Sequence, residues 1–332
     1  MRVKVLRPGL LTSIQDLGRY GFQQRGVIVS GAMDTFSLRM ANLLVGNDEG
    51  EAGLEITLIG PKLEFEESAL VAVCGADLSP EVDGQSIPQW RPVYIKKGSI
   101  LNFRGCVSGC RAYLAMAGGF AVEKVLGSRS TYLRAGIGGY QGRALKEGDV
   151  LEAGQPSERA EWKMQKLSAQ GGDTIASGWS ISVDVFPDYD VNPTVRVLRG
   201  AQFDRFTKES REAFFASTFQ VTPQSDRMGY RLKGPELSLT EPLEMLSSSV
   251  AFGTVQVPPE GQPIALLADR QTAGGYPKIA QIISVDLPVI AQVKPGEKIR
   301  FQEVSLEEAE ALYLAREKQI QQVKQGIALR YR

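Results

Sequence analysis

The chain of 332 residues contains no histidine. That absence removes the commonest general base, the imidazole metal ligands and every nucleophile built on a Ser-His or Cys-His pair. Any chemistry must therefore rest on carboxylates, Lys, Arg, Tyr, Ser, Thr or backbone amides. Cysteine is nearly as scarce. Only Cys74, Cys106 and Cys110 occur, an odd number in a chain too long to need disulfide staples, and a reducing compartment fits. The spacing Cys106-x-x-x-Cys110 offers two thiolates, but no second pair and no imidazole complete the four ligands that zinc takes, so no metal is expected. Excess charge is missing too: Lys plus Arg and Asp plus Glu each number 38. A net charge of zero gives no field to steer the protein onto nucleic acid or an anionic membrane. Nowhere do the roughly 18 apolar residues of a membrane span run together, and the first nine residues lack the apolar run of a signal peptide. The expectation is a soluble, cytoplasmic protein with neither nucleic acid nor membrane as partner.

What the chain has in quantity is glycine, 35 residues, with 17 prolines, the balance needed when many short strands are joined by tight turns. Short Val-, Ile- and Leu-rich runs bounded by Gly, Pro or Asp predict strands over 3–6, 55–58, 69–74, 92–95, 100–103, 111–116, 181–186, 194–198, 263–267, 279–285 and 298–301. Three helices are predicted. Residues 35–45 follow Asp34 as a cap and stop at Gly46-Asn47. Residues 203–217 carry Phe203, Phe206, Ala213 and Phe214 at helical spacing. Residues 306–324 begin with Ser305 and Glu308 in capping-box spacing and end before Gly326, with Leu306, Ala309, Leu312, Tyr313, Ile320 and Val323 on one stripe. The fold class is mainly β with a few helices.

Two short echoes suggest two related lobes. Val3-Lys4-Val5-Leu6-Arg7 matches Val195-Arg196-Val197-Leu198-Arg199, and the strand ending at Asp77 matches one ending at Asp269 at the same spacing. A third echo, Arg134-x-x-x-Gly-Gly-Tyr140 against Arg270-x-x-x-Gly-Gly-Tyr276, has another spacing and cannot belong to the same duplication. Residues 155–180 are polar and weakly periodic. The expected organisation is an N-terminal β-rich lobe over 1–155, a connecting segment over 156–180, and a C-terminal β-rich lobe with the terminal helix over 181–332.

Five loops concentrate Gly, Asp, Arg, Gln, Ser and Thr: residues 12–21 (TSIQDLGRYG), 30–34 (SGAMD), 127–132 (GSRSTY), 225–231 (SDRMGYR) and 269–277 (DRQTAGGYP). Loops on a rigid scaffold carry function, although for each the plainer alternative is a turn in which Asp binds its own backbone. With histidine absent, Asp226 and Asp269 are the candidate general bases, and Arg227 joins them as a catalytic candidate. Arg129, Ser130, Arg270, Gln271, Thr272 and Tyr276 are candidates for binding substrate or phosphate, Arg through its permanent charge and planar fork. The loop Gly136-Ile-Gly-Gly-Tyr-Gln-Gly-Arg143 could approach a phosphate closely or simply turn the chain. Neither a Gly-x-x-x-x-Gly-Lys-Ser/Thr loop nor a strand-coupled Gly-x-Gly-x-x-Gly is present.

In order, these segments resemble the biotin-dependent carboxyltransferase-like family, which includes allophanate hydrolase subunit 2, the KipA antagonist proteins and the C component of 5-oxoprolinase. The resemblance is carried by residues 8–19 (PGLLTSIQDLGR), 31–34 (GAMD) with Asn42 and 45–47 (VGN), 127–132, 225–232 (SDRMGYRL), 253–263 (GTVQVPPEGQP) and 269–277. It covers residues 3–302. It implies two cyclophilin-like β-barrel lobes and two obligate partners, one KipI-like and the other lactam-binding. Such a complex opens 5-oxoproline to glutamate while consuming ATP, and no biotin attachment is expected on this chain. Two alternatives stay open: a regulatory protein that antagonises a KipI-like inhibitor of a sensor histidine kinase, and a carboxyltransferase that acts on urea or allophanate.

Overall fold

The computed structural model describes residues 1–330, and they group into two compact units. The first comprises Met1–Arg19, Ser30–Phe186 and the chain from Gln319 onward; the second comprises Tyr20–Val29 and Pro187–Lys318.

In the first unit twelve strands form two six-stranded sheets. They are β1 (Arg2–Arg7), β2 (Leu11–Gln15), β3 (Gly53–Thr57), β4 (Lys62–Phe65), β5 (Ala69–Asp77), β6 (Pro80–Val82), β7 (Gln85–Ser86), β8 (Val93–Ile95), β9 (Ile100–Phe103), β10 (Ser108–Met116), β11 (Val150–Glu152) and β12 (Thr174–Ala176). One sheet runs β11-β1-β4-β9-β6-β7 and the other β12-β8-β5-β10-β3-β2. Between them lies a core of Val3, Val5, Leu63, Phe65, Leu101 and Phe103 from the first sheet and Leu54, Ile56, Val71, Val73, Leu114 and Met116 from the second. The opposite face of the second sheet presents Leu70, Ala72, Cys74 and Ala115 to the helices α1 (Thr35–Leu44) and α2 (Glu158–Ser168). This explains why β5 reads as an unbroken apolar run: alternate residues enter two different cores, so neither face is left to be polar.

Residues 156–180, expected to connect the lobes, carry α2 and β12 and belong to this unit. Ser157 caps α2, and Ala160 and Leu167 are buried under it, too few apolar positions to show as a period in the sequence. Residues 181–186 form a turn of 3-10 helix, Val183–Val185, instead of a strand. The Ser182 side chain accepts the Asp184 N–H, and Phe186 leaves the run to stack on Trp90 with ring centroids 4.1 Å apart.

The second unit is built on a closed barrel, the form expected for both lobes. Its strands are β13 (Thr194–Arg199), β14 (Thr218–Val221), β15 (Gly229–Lys233), β17 (Thr254–Gln256), β18 (Ile264–Leu266), β20 (Lys278–Ile282) and β21 (Lys298–Glu303), while β16 (Ser248–Ser249) pairs with β19 (Ala273–Gly274) outside it. The barrel order is β13-β20-β17-β18-β15-β14-β21, and β13 closes it by pairing in parallel with β21. The echo between β1 and β13 is physical, since both strands bury only their second and fourth residues. The Gly-Gly-Tyr echo is not: Gly138 and Gly139 have positive φ, whereas Gly274 and Gly275 do not.

The helix expected over 203–217 divides into a 3-10 turn, Phe203–Arg205, and α3 (Lys208–Ala216), because Thr207 takes the cap position and accepts the Ser210 N–H. Phe214 of α3 stacks on Phe301 of β21, centroids 4.5 Å apart. After the short α4 (Leu287–Ala291), the terminal helix α5 (Leu306–Arg330) continues through Gly326 to a further turn. Ala309 and Leu312 pack beside Ile283, Val285 and Val304 in the second unit. In the first unit Ile320 and Ile327 are buried in the helix-side core, and burying Ile327 explains why the helix does not stop at the glycine. Leu306 and Tyr313, placed on the apolar stripe from the sequence, are instead 56% and 48% exposed. Truncating the buried anchor tests this packing: Ile320→Ala should cost about 2–5 kcal/mol in chemical or thermal unfolding, and a variant as stable as the parent would remove α5 from the core.

Candidate functional site

The candidate residues fall into two groups, one in each unit. In the first unit β2 delivers Asp16 to the 127–132 loop. One carboxylate oxygen of Asp16 accepts hydrogen bonds from Ser128 Oγ (2.7 Å), Ser130 Oγ (2.5 Å) and the Gly18 N–H (2.8 Å), and the other accepts the Arg129 N–H (2.6 Å). Ser130 is wholly buried, and its Oγ also accepts the Asp16 N–H at 3.0 Å. Arg129 turns its guanidinium to Glu51 (2.9 Å) and to the Val122 carbonyl (3.1 Å). Arg19 is likewise wholly buried and donates to the carbonyls of Val125 (2.8 Å) and Ser130 (2.9 Å). Arg129 and Ser130 are thus brought together, and both are engaged in fixing the loop. Asp16, which organises them, lies within the 12–21 segment, where pattern alone does not single it out. An Asp directly after a strand and before Leu-Gly is the available signal, since short acceptors order backbone N–H groups at such turns.

The glycine loop packs onto this assembly. A Cβ on Gly138 would lie 2.1 Å from the Ser130 carbonyl oxygen, and one on Gly139 would lie 1.9 Å from Thr131 Oγ1. Both glycines are needed for close approach to their own chain. Arg143, at the end of the loop, is held by both oxygens of Asp149 at 2.7 and 2.8 Å. These residues do not fit a phosphate cradle: the space a phosphate would use is filled by protein and the guanidinium is already paired. The Arg143 hydrogen bonds also hold the Asp149 carboxyl below its ordinary range.

A second polar network in this unit is one that the sequence does not announce. Tyr113 donates to Glu55 Oε2 (2.7 Å) and accepts the Asp34 N–H (2.8 Å), and Glu55 Oε2 also accepts the Met33 N–H (2.8 Å). Asp34 caps α1 through the N–H and Oγ of Ser37. Burial pushes the Tyr113 phenol well above its usual range, and the Glu55 charge adds to the effect. Burial also raises the Cys74 thiol, with Asp34 contributing. Glu55 between Leu54 and Ile56 is the visible hint, a lone carboxylate inside an apolar strand.

In the second unit the candidates of 225–231 and 269–277 do meet. Arg227 and Asp269, 5% and 7% exposed at their side chains, form a two-pronged ion pair, Nε to Oδ2 at 2.9 Å and Nη2 to Oδ1 at 3.0 Å. The Asp269 N–H also donates to the Arg227 carbonyl at 2.8 Å, so side chains and backbone tie the start of β15 to the end of β18. Asp226 is exposed, and one of its oxygens accepts the N–H groups of Met228 (2.8 Å) and Gly229 (3.3 Å). This is the Asp-bound turn of the plainer reading. Arg270 is half-buried against Phe252, 5.6 Å from the ring centroid, and donates to the Leu267 carbonyl at 3.3 Å. Desolvation lowers its pKa below the usual arginine value.

Tyr276 stands apart from these residues. It lines a cleft of about 660 Å³ walled by Phe206, Leu237, Leu239, Val257, Pro258 and Pro277, with Glu236, Glu241 and Glu260 also lining it. The family-like segments 253–263 and 269–277 both contribute to this cleft. Its charged lining is acidic, which suits a neutral or cationic group and disfavours phosphate. No cluster of metal-ligating side chains occurs among the described residues, and no described helix is long and apolar enough to cross a membrane.

Both ion pairs can be tested. Asp269→Asn or Arg227→Met alone should destabilise the protein by about 3–5 kcal/mol by leaving a buried partner uncompensated, whereas the double variant Arg227→Met/Asp269→Leu should recover much of the loss in urea unfolding. The Arg143–Asp149 pair predicts a pH signature. Because the folded carboxyl is depressed, its contribution is full above the ordinary aspartate value of about 3.9. The stability gap between the parent and Asp149→Asn should therefore narrow as pH falls below that value and close beneath the lowered folded one. A gap independent of pH would exclude the pair as its source.

Known proteins share this framework. A family model described as the carboxyltransferase domain, subdomain A and B, matches residues 25–303. The chain is 42% identical over 308 residues to the C subunit of 5-oxoprolinase from Escherichia coli, covering 92% of this chain and 93% of that one. It is 35% identical to urea amidolyase of Saccharomyces cerevisiae, covering 93% of this chain but 17% of that protein. Among solved structures, the urea carboxylase of Kluyveromyces lactis superposes with a TM-score of 0.87 at 33% identity, over 96% of this chain and 29% of that one. This chain therefore spans less than a third of the urea enzymes' length and nearly all of the oxoprolinase component's, and it belongs to the carboxyltransferase-domain family that both groups share.

Proposed function

We propose that this chain is the C subunit of a cytoplasmic, ATP-dependent 5-oxoprolinase, and that it works with a KipI-like partner and a lactam-binding partner to open 5-oxo-L-proline to L-glutamate. The observation that carries the reading is the reciprocal, almost full-length likeness to the 5-oxoprolinase component of Escherichia coli, repeated at 38% identity in Haemophilus influenzae. The urea enzymes align over as much of this chain at lower identity, 35% and 33%, and this chain accounts for only a fraction of their length.

A lactam amide is a poor electrophile, and transfer of the terminal phosphoryl group of ATP to its oxygen activates the ring carbon. Water adds there, the C–N bond breaks with the ring nitrogen leaving as the amine, and a second water splits the resulting acyl phosphate into carboxylate and phosphate. The glycine loop of this chain does not fit a triphosphate, so in this reading the nucleotide is held elsewhere in the complex. What this chain contributes is rigid polar loops: the Arg227–Asp269 pair, the exposed Asp226 beside it, and the 127–132 loop held by Asp16. These are positioning elements, and preorganisation of that kind lowers a barrier only when the reacting groups are assembled around it.

The experiment is glutamate release from 5-oxoproline and ATP by this chain with its candidate KipI-like and lactam-binding partners, leaving out each in turn. Loss of release on omitting this chain is the expected result. Asp226→Ala, Arg227→Ala and Asp269→Ala should each lower turnover, and the fold-restoring double variant Arg227→Met/Asp269→Leu should remain slow. Full turnover from that double variant would reduce the pair to a structural role. A stable complex with the KipI-like partner and no turnover would favour the regulatory antagonist, and release that depends on biotin would favour the urea-type carboxyltransferase.

A further inference from the structure

Arg129, Arg143 and Arg227 are each matched by a carboxylate, and Arg19 by two carbonyls. Arg270 is not matched in this way. Its neighbour Asp269 has both oxygens engaged by Arg227, and Arg270 itself makes no salt bridge among the described residues. A guanidinium has five N–H donors, and Arg270 directs one, from Nη1, to the Leu267 carbonyl at a long 3.3 Å. Its Nε is buried without a hydrogen-bond partner, a state that costs free energy in the interior. Nη2 has no hydrogen-bond partner among the described residues. The next two residues of the same turn, Gln271 and Thr272, are half-buried, and neither side chain hydrogen-bonds within the described residues. Phe252 backs the guanidinium with an apolar face, and the Tyr20 phenol is near enough to act on it electrostatically.

We propose that Arg270, with Gln271 and Thr272 of its turn, forms a binding site in the second unit for a small oxyanion, a carboxylate or a phosphate, taken end-on by Nη1 and Nη2. Several features favour an anion over a neutral ligand. The local charge is positive and partly desolvated, which strengthens its interaction with an incoming negative charge. Two parallel N–H groups match two oxygens of one planar or tetrahedral anion. The Phe252 face holds the guanidinium plane, so less rotamer freedom is lost on binding than for a solvent-exposed arginine. Binding also supplies the missing counter-charge. The site does not depend on the 5-oxoprolinase reading, because binding can be measured without turnover.

The test follows the arginine side chain itself. In full-length protein labelled with ¹⁵N-arginine, the Nε–H resonance of Arg270 is identified by its loss in Arg270→Lys. Inorganic phosphate and 5-oxo-L-proline are then titrated separately, with chloride as the control for bulk charge. We expect that resonance to shift with one or both oxyanions and not with chloride. A shift with 5-oxoproline identifies the carboxylate as ligand and a shift with phosphate identifies the phosphate. Arg270→Lys keeps the charge but loses the fork, and its affinity for the responding oxyanion, measured beside the parent by isothermal titration calorimetry, should be weaker by roughly tenfold or more. Should that variant fail to fold, Gln271→Ala and Thr272→Val report on the same site through the parent resonance. A signal unmoved by either oxyanion, or moved equally by chloride, overturns the proposal.

Discussion

Both faces of the sheet carrying β5 and β10 are sealed from water, one by the other sheet of the unit and the other by helices, so every polar group that enters it must be satisfied inside. That constraint organises the first unit. Glu55 and Tyr113 lie on adjacent strands of this sheet, in direct cross-strand register, and their hydrogen bond reaches outward to the Met33 and Asp34 N–H groups at the start of α1. The helix is thereby fixed to the sheet by backbone donors that a helix N-terminus would otherwise leave unpaired. Asp34 completes the junction by capping the first turn. A network of this sort is unforgiving, since removing one member strands the others in a low-dielectric interior.

The same solution recurs wherever this chain folds a carboxylate inward. Asp16 gathers the 127–132 loop, Asp149 holds Arg143, Asp269 holds Arg227, and Asp286 takes both the guanidinium and the backbone N–H of Arg196. Each ties segments that are distant in sequence or closes a tight turn, and each has oxygens facing fixed donors. In a chain without histidine these carboxylates are the natural candidates for proton transfer. The geometry shows that most of them serve first as anchors for loops. A rigid loop is itself a catalytic resource, because orientation is supplied before the substrate arrives.

The legibility of the sequence follows the same line. Strands with strong local patterns, such as 69–77, 100–103 and 194–199, are visible because burial of alternate or consecutive apolar residues leaves a direct mark. β2 is not visible, since its TSIQ run buries polar side chains, Thr12 bonded to the Pro8 carbonyl and Gln15 to Ser13 and to the Thr131 carbonyl of the 127–132 loop. Helix α2 is hidden because it buries only Ala160, Lys163 and Leu167 in a polar stretch. Among the candidate residues, the segments 225–231 and 269–277 are each legible as polar loops but their meeting is not, and the structure joins them through Arg227 and Asp269. What cannot be read is occupancy. Whether an Arg in a polar loop is paired or available depends on carboxylates far away along the chain, as the pairing of Arg129 with Glu51 shows.

That distinction between engaged and available groups separates the two groups of candidate residues, one in each unit. In the 127–132 loop, Ser130 is buried and bonded on both sides and Arg129 is held by Glu51, so a ligand there would have to displace existing hydrogen bonds of similar strength. In the 269–277 turn, the pairing of Asp269 with Arg227 leaves Arg270 with most of its donors unmatched and Gln271 and Thr272 beside it. Displacing protein bonds returns little net free energy, whereas an anion that meets the unmatched Nη2 displaces none there. The physical asymmetry therefore favours Arg270 and its turn over the 127–132 loop as the place for the proposed recognition, and the Asp16 assembly holds the first unit's loops in shape.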